Sequence, residues 1–179
     1  RYDGYRLSKG KYAIPGLPAA YADEDEAETL EIIMKDEALN LQVHLLYGVL
    51  PKLDIVTRSV RIQNDGEKRI FLEKVQSACL DFVGGQFDLL TFYGRHAMER
   101  NVQRTAVTHT CQRICSRRGT SSHQYNPLLL LAEQGTTEEH GACYAMSFVY
   151  SGGFQGEAER DQFNQTRMML GLCEEQFSY

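Results

Sequence analysis

Between Thr29 and Tyr47 apolar side chains recur at every second position. Leu30, Ile32 and Met34 alternate with Glu31, Ile33 and Lys35; Leu39, Leu41, Val43, Leu45 and Tyr47 continue the pattern after a short Asp36-Glu37-Ala38 turn. A period of two is that of a strand with one wet and one buried face, and a helix would scatter the same residues around its circumference. The segment is therefore predicted to be a β-hairpin, ended by Pro51. A third strand is predicted over about residues 55–63, with Val56, Val60 and Ile62 inward and Thr57, Ser59 and Arg61 outward. The Asn64-Asp65-Gly66-Glu67 stretch that follows is a strong hairpin signal, and predicts a partner strand over about residues 70–82.

The same punctuation continues. Gly84-Gly85 marks a turn before a strand over 87–93, and the basic stretch 94–104 reads as an irregular or edge strand in such surroundings. Further strands are predicted over about 112–117, 128–133, 142–150, 154–160 and 167–172, separated by Gly135, Gly141 and Gly152-Gly153. The first twenty-eight residues, with Tyr2-Asp3-Gly4-Tyr5 and Pro15-Gly16-Leu17-Pro18, read as irregular. Short strands at close spacing with hardly a helical period predict an all-β protein, a large β-sandwich forming a single domain over 1–179. Both ends read as interior to a longer protein: Arg1 opens in a loop, and Glu175-Gln176-Phe177-Ser178-Tyr179 closes without a solubilising tail.

A formal net charge of −5 supplies no general basic surface, which argues against nucleic acid and anionic membranes as partners. Apolar runs fall far short of the roughly 20 residues of a membrane helix. Cys79, Cys111, Cys115, Cys143 and Cys173 are an odd set. Cys111 and Cys115 on one strand would lie about 13 Å apart, too far for a disulfide. No second closely spaced Cys or His pair joins them and His109 in a zinc site, so no metal is expected. Reduced thiols in a cytoplasmic protein are the expectation. Asp23-Glu24-Asp25-Glu26 reads as a solvated loop.

No nucleophile elbow, P-loop or dinucleotide fingerprint occurs, so no catalytic residue and no cofactor is assigned. Asp81 with Asp88 and Glu157 with Glu159 are acidic pairs, read as solvent-facing strand or turn positions rather than a glycosidase dyad. His44 is placed on an outward strand position, and His96, His109, His123 and His140 in or beside loops. The densest polar stretch is Ser116-Arg117-Arg118-Gly119-Thr120-Ser121-Ser122-His123-Gln124-Tyr125-Asn126-Pro127, directly before Leu128-Leu129-Leu130-Leu131. So many directional donors and acceptors either hold a turn, with Gly119 at positive φ and the arginines on the surface, or meet a partner. Arg117, Arg118, Ser121, His123, Gln124 and Asn126 are the candidate interface residues, the two guanidiniums suited to clamping a carboxylate.

That stretch, Ser-Arg-Arg-Gly-x-Ser-Ser-His-Gln-x-Asn-Pro, resembles a signature in the N-terminal domain of family-36 glycoside hydrolases, the microbial α-galactosidases or melibiases. Other segments agree in order: Gly16-Leu17-Pro18-Ala19, Asp54-Ile55-Val56-Thr57-Arg58-Ser59, Phe87-Asp88-Leu89-Leu90, Glu99-Arg100-x-Val102-x-Arg104, Gly135-Thr136-Thr137-Glu138-x-His140-Gly141 and Tyr150-Ser151-Gly152-x-Phe154. The resemblance implies a galactose-mutarotase-like supersandwich, truncated on its N-terminal side and preceding a (β/α)₈ barrel. It implies that the barrel carries the nucleophile and acid/base aspartates for retaining hydrolysis of terminal α-galactosides of melibiose and raffinose type. This segment would scaffold that barrel and contact sister subunits of a homo-oligomer. Phe92-Tyr93-Gly94-Arg95-His96-Ala97 departs from the family, which usually carries a tryptophan there. A stand-alone carbohydrate-binding sandwich is the alternative; the lack of tryptophan weighs against it.

Overall fold

The computed structural model describes residues 1–173, so the closing Glu175–Tyr179 stretch lies outside the described residues. Within them the chain is all-β: twelve strands form three four-stranded antiparallel sheets, with one short 3₁₀ turn at Pro51–Leu53. No helix among the described residues is long and apolar enough to cross a membrane. Two compact units are present, Arg1–Leu72 and the chain from Glu73 onward.

The first unit is a meander of β1 (Tyr2–Lys9), β2 (Glu28–Asp36), β3 (Leu41–Leu50) and β4 (Ile55–Asn64). The predicted hairpin at 29–47 is present, with Asn40 in the left-handed region at its turn. Two expectations are corrected. The opening residues are not irregular: β1 pairs with β2 from Tyr2 through Lys9 as an edge strand. The faces also differ from the prediction. Register places Leu30, Ile32, Met34, Val43, Leu45, Val60 and Ile62 together, as expected, yet the best-buried residues, Thr29, His44, Leu46 and Leu50, lie on the opposite face. At one end of that face the cover is the segment after β1: Thr29 Oγ1 donates to Gly10 O and accepts from Tyr12 N, and a Cβ on Gly48 would meet Lys11 and Tyr12 side chains, so residues 10–12 lie over Thr29 and Gly48.

In the second unit β5 (Ala78–Phe82), β12 (Thr166–Leu172), β11 (Phe154–Arg160) and β8 (Gln112–Ser116) form one sheet in that order. A second sheet runs β10 (Cys143–Ser147), β9 (Leu128–Glu133), β6 (Phe87–Arg95) and β7 (Met98–Ala106). Phe87, Leu89, Leu129 and Leu131 from one sheet meet Phe154, Ala158, Met168 and Leu170 from the other in a sandwich core. Gly156 lies beneath Leu129 so closely that a Cβ would stand 2.4 Å from Leu129 Cδ1. As predicted, the basic stretch after residue 94 is an edge strand, β7.

The Asp-Gly hairpin signal misleads. Asp65 binds the Gln42 and Gln63 amides at 2.7 Å each and Gly66 N donates to Asn64 Oδ1, but no strand returns beside β4. Instead residues 73–77 cross the outer face of the β5-β12-β11-β8 sheet over Gly171, and β5 pairs with β12. Leu172 N donates to Val75 O at 3.1 Å. Burial of Glu157 under Lys74 holds the crossing, a non-local bond no turn signal encodes.

Candidate functional site

The polar stretch leaves β8 at Ser116 and enters β9 at Leu128, so it bridges the two sheets at one end of the sandwich. Gly119 takes φ +72°, the left-handed turn that glycine adopts without a Cβ penalty. Ser116 Oγ donates to Thr120 O and closes the turn. Ser121 N donates to Ser151 O at 2.8 Å, tying the loop to the Tyr150–Gly153 connection. Ser122 and Tyr125 form an isolated bridge, and Asn126 N donates to Phe92 O at 3.0 Å, with its Nδ2 at 3.5 Å from the same oxygen.

These anchors sort the six candidates. Ser121 and Asn126 hold the loop to its own fold. Arg117, Arg118 and Gln124 line an open pocket of ≈ 240 Å³ together with Cys115, Ser116, Ser122 and Tyr125. His123 is exposed beside the pocket and does not line it. Ser121 and Asn126 thus follow the structural-turn reading of the stretch. Guanidiniums, a hydroxyl and an amide in one concavity suit a carboxylate or similar oxyanion.

Elsewhere the predicted acidic pairs separate. Asp81 meets Arg167 at 2.6 Å at an exposed strand position, as expected, and Asp88 meets Arg104 at 2.7 Å at a half-buried one rather than facing solvent. The Arg167 guanidinium bonding to Asp81 holds its carboxyl below the usual range. Glu157 is not solvent-facing as expected. It is 2% exposed, between Lys74 Nζ at 2.6 Å, Arg113 Nη2 at 2.7 Å and Gln155 Nε2 at 2.9 Å. Strand alternation does place it on the outer face of its sheet; the 73–77 crossing then buries it.

His44 is likewise corrected from an outward position to a buried one, with Nδ1 2.7 Å from Glu31 Oε1 and Arg61 closing on the same carboxylate at 2.9 Å. The missed signal is the cross-strand pattern itself: Arg6, Glu31, His44 and Arg61 share one face once register is known. Burial raises the Cys111 and Cys143 thiols, and none of the five cysteines forms a disulfide. Among the described residues no group of three or more His, Cys, Asp or Glu side chains could hold a metal.

The family model for the glycosyl hydrolase family 36 N-terminal domain matches residues 1–179. The bifunctional alpha-galactosidase/sucrose kinase AgaSK of Mediterraneibacter gnavus is 61% identical over 178 residues, 99% of this chain and 19% of its own length. Alpha-galactosidase 1 of Pediococcus pentosaceus is 42% identical over 179 residues, 99% of this chain and 24% of its own. The solved galactosidase domain of AgaSK superposes with a TM-score of 0.96, covering 99% of this chain and 25% of that one. The GH36 alpha-galactosidase AgaA of Geobacillus stearothermophilus, at 39% identity, gives 0.94 over 97% of this chain and 24% of that one. The chain thus spans 19% to 25% of the length of these relatives. With residues 1–179 matched by the family model and the fold shared at this identity, the chain belongs to the N-terminal domain family of family-36 glycosyl hydrolases.

Proposed function

We propose that this chain is the non-catalytic N-terminal domain, 1–179, of an α-galactosidase that cleaves terminal non-reducing α-galactosides of melibiose and raffinose type with retention. The catalytic aspartates lie on a (β/α)₈ barrel outside these residues. The Ser116–Pro127 loop contributes to the contact with that barrel or with a sister subunit of a cytoplasmic homo-oligomer. The observation that carries this role is the division of labour in the loop: Ser121 and Asn126 pin it, and Arg117, Arg118 and Gln124 line an open pocket. In support, relatives named as α-galactosidases match nearly the whole chain, and AgaA structures are described in complex with raffinose and with stachyose.

The test is hydrolysis by the protein encoded by the complete gene, with the product anomer read by NMR. Melibiose or raffinose should be cleaved with α-galactose released first, and Arg117→Glu with Arg118→Glu should lower activity or assembly. Wild-type behaviour of that double variant removes the contact role. An inactive full-length protein whose residues 1–179 are retained on immobilised galactoside replaces the proposal with a carbohydrate-binding module.

A further inference from the structure

Residues 73–77 open the second unit directly after Leu72, carry no strand, and cross the outer face of the β5-β12-β11-β8 sheet as a strap. What attaches them is polar. Lys74 Nζ donates to Glu157 Oε2 at 2.6 Å, Leu172 N donates to Val75 O at 3.1 Å, and Gln76 Nε2 reaches Leu172 O at 3.5 Å. Ala78 packs against the sandwich core, whereas no residue of 73–77 belongs to it. Phe71 and Leu72, the large apolar side chains that lead into the strap, are 84% and 52% exposed.

Closure of the strap carries costs of its own. Gln76 Oε1 is buried without a hydrogen-bond partner among the described residues, a desolvation penalty that opening relieves. Glu157 keeps Arg113 at 2.7 Å and Gln155 at 2.9 Å when Lys74 leaves, so no stranded charge opposes release. A Cβ on Gly171 would stand 2.5 Å from Val75 O and 2.6 Å from Gln76 Cα, so at the crossing β12 offers no side chain to interlock with the strap. The core beneath is different, with Leu129, Leu131, Phe154 and Met168 fully buried. A segment with polar attachments and no buried apolar anchor opens at a lower free energy than the core it covers.

We propose that residues 73–77 form a strap that opens and closes on its own over an intact sandwich, with Lys74 on Glu157 as its clasp. In the open state the Glu157–Arg113 pair faces solvent, and the free connection between the two units gains residues 73–77, about 17 Å of chain when extended. The motion is local. β12 keeps β11 on one side and β5 on the other, since those pairings run over Phe154–Arg160 and Ala78–Phe82, outside the strap.

The experiment is hydrogen exchange on the full-length protein, read at single residues by mass spectrometry with electron-transfer fragmentation. The reporter is the Leu172 amide, which donates to Val75 O of the strap. In wild type it should exchange about a hundredfold or more faster than the slowest amides of β9 and β11, at a rate that low urea leaves unchanged. Lys74→Met should speed Leu172 about tenfold further by removing the clasp. Leu129→Ala weakens the core and spares the strap, so it should speed the β9 and β11 amides and leave Leu172 as in wild type. If Leu172 exchanges at the core rate, or accelerates with the core in Leu129→Ala, release requires unfolding of the whole unit and the proposal is overturned. Unchanged Leu172 exchange in Lys74→Met removes the clasp and overturns it equally. Should Lys74→Met not fold, the wild-type urea series and Leu129→Ala still decide whether the strap opens by itself.

Discussion

Glu157 on β11 faces Arg113 directly across the strand pair, and their side chains meet at 2.7 Å with the carboxylate 2% exposed. Lys74, from the segment crossing above, completes the pairing at 2.6 Å. Removing one partner of a buried ion pair costs about 3–5 kcal/mol, because uncompensated charge is left behind. Here the surviving cations are about a third exposed and can rehydrate. Glu157→Ala should therefore destabilise the protein by about 3 kcal/mol, at the lower end, read as a drop in urea midpoint. A loss below about 0.5 kcal/mol would mean that the crossing segment is held by other contacts.

Gly156 admits Leu129 into space that a methyl group would occupy. Gly156→Ala should cost about 1–3 kcal/mol by overpacking the sandwich core. In a Leu129→Ala background the added methyl has room, so the double variant should be more stable than the sum of the two losses implies. Additive losses in thermal or urea unfolding would argue against a steric origin.

The Asp81–Arg167 pair predicts a pH dependence. Its carboxyl titrates below the unfolded value because Arg167 bonds its charged form. That stabilisation is complete above the unfolded carboxyl pKa of about 3.9 and is lost as pH falls through the lower folded value. Both side chains are about half exposed, so after screening the contribution is a few tenths of a kcal/mol. Asp81→Asn should lower stability slightly at pH 7 and flatten its fall below pH 4; parallel wild-type and variant curves would discount the pair.

Gly119 is the backbone hinge of the Ser116–Pro127 turn. A side chain in the left-handed region costs about 1–2 kcal/mol, so Gly119→Val should loosen this loop without unfolding the sandwich. Limited proteolysis should cut within residues 117–125 sooner than in wild type. Unchanged cleavage would show that the Ser121–Ser151 and Asn126–Phe92 anchors hold the loop by themselves.

Strand identity was legible from sequence wherever it is local. The alternation of Leu30, Ile32 and Met34 with their neighbours, the run Leu128–Leu131 and the glycine punctuation each report a backbone preference set within a few residues. The positive φ of Gly119 is of the same kind. β1 escaped because its residues form an edge with little burial on either face, so no alternation marks it. The polar density of the Ser116–Pro127 loop was visible, but which of its residues anchor it was not. Whether Asn126 anchors and Arg118 lines a pocket depends on Phe92, far away in the chain.

What the sequence determined by itself, then, is the β class, most strand positions and the family signature, since these follow from short-range periodicity and motif order. Only the tertiary structure decided which partner each strand takes and which face of it is covered. Asp65-Gly66 makes a turn in either case, but β5 joins β12 because Lys74 reaches Glu157 and Gly171 lets the chain pass. His44 and Glu157 alternate like surface residues; Glu157 is buried because the 73–77 segment folds over it from elsewhere in the chain, and His44 lies against Glu31 and Arg61 of the neighbouring strands. The energy of those contacts is non-local, and no period along the chain carries it.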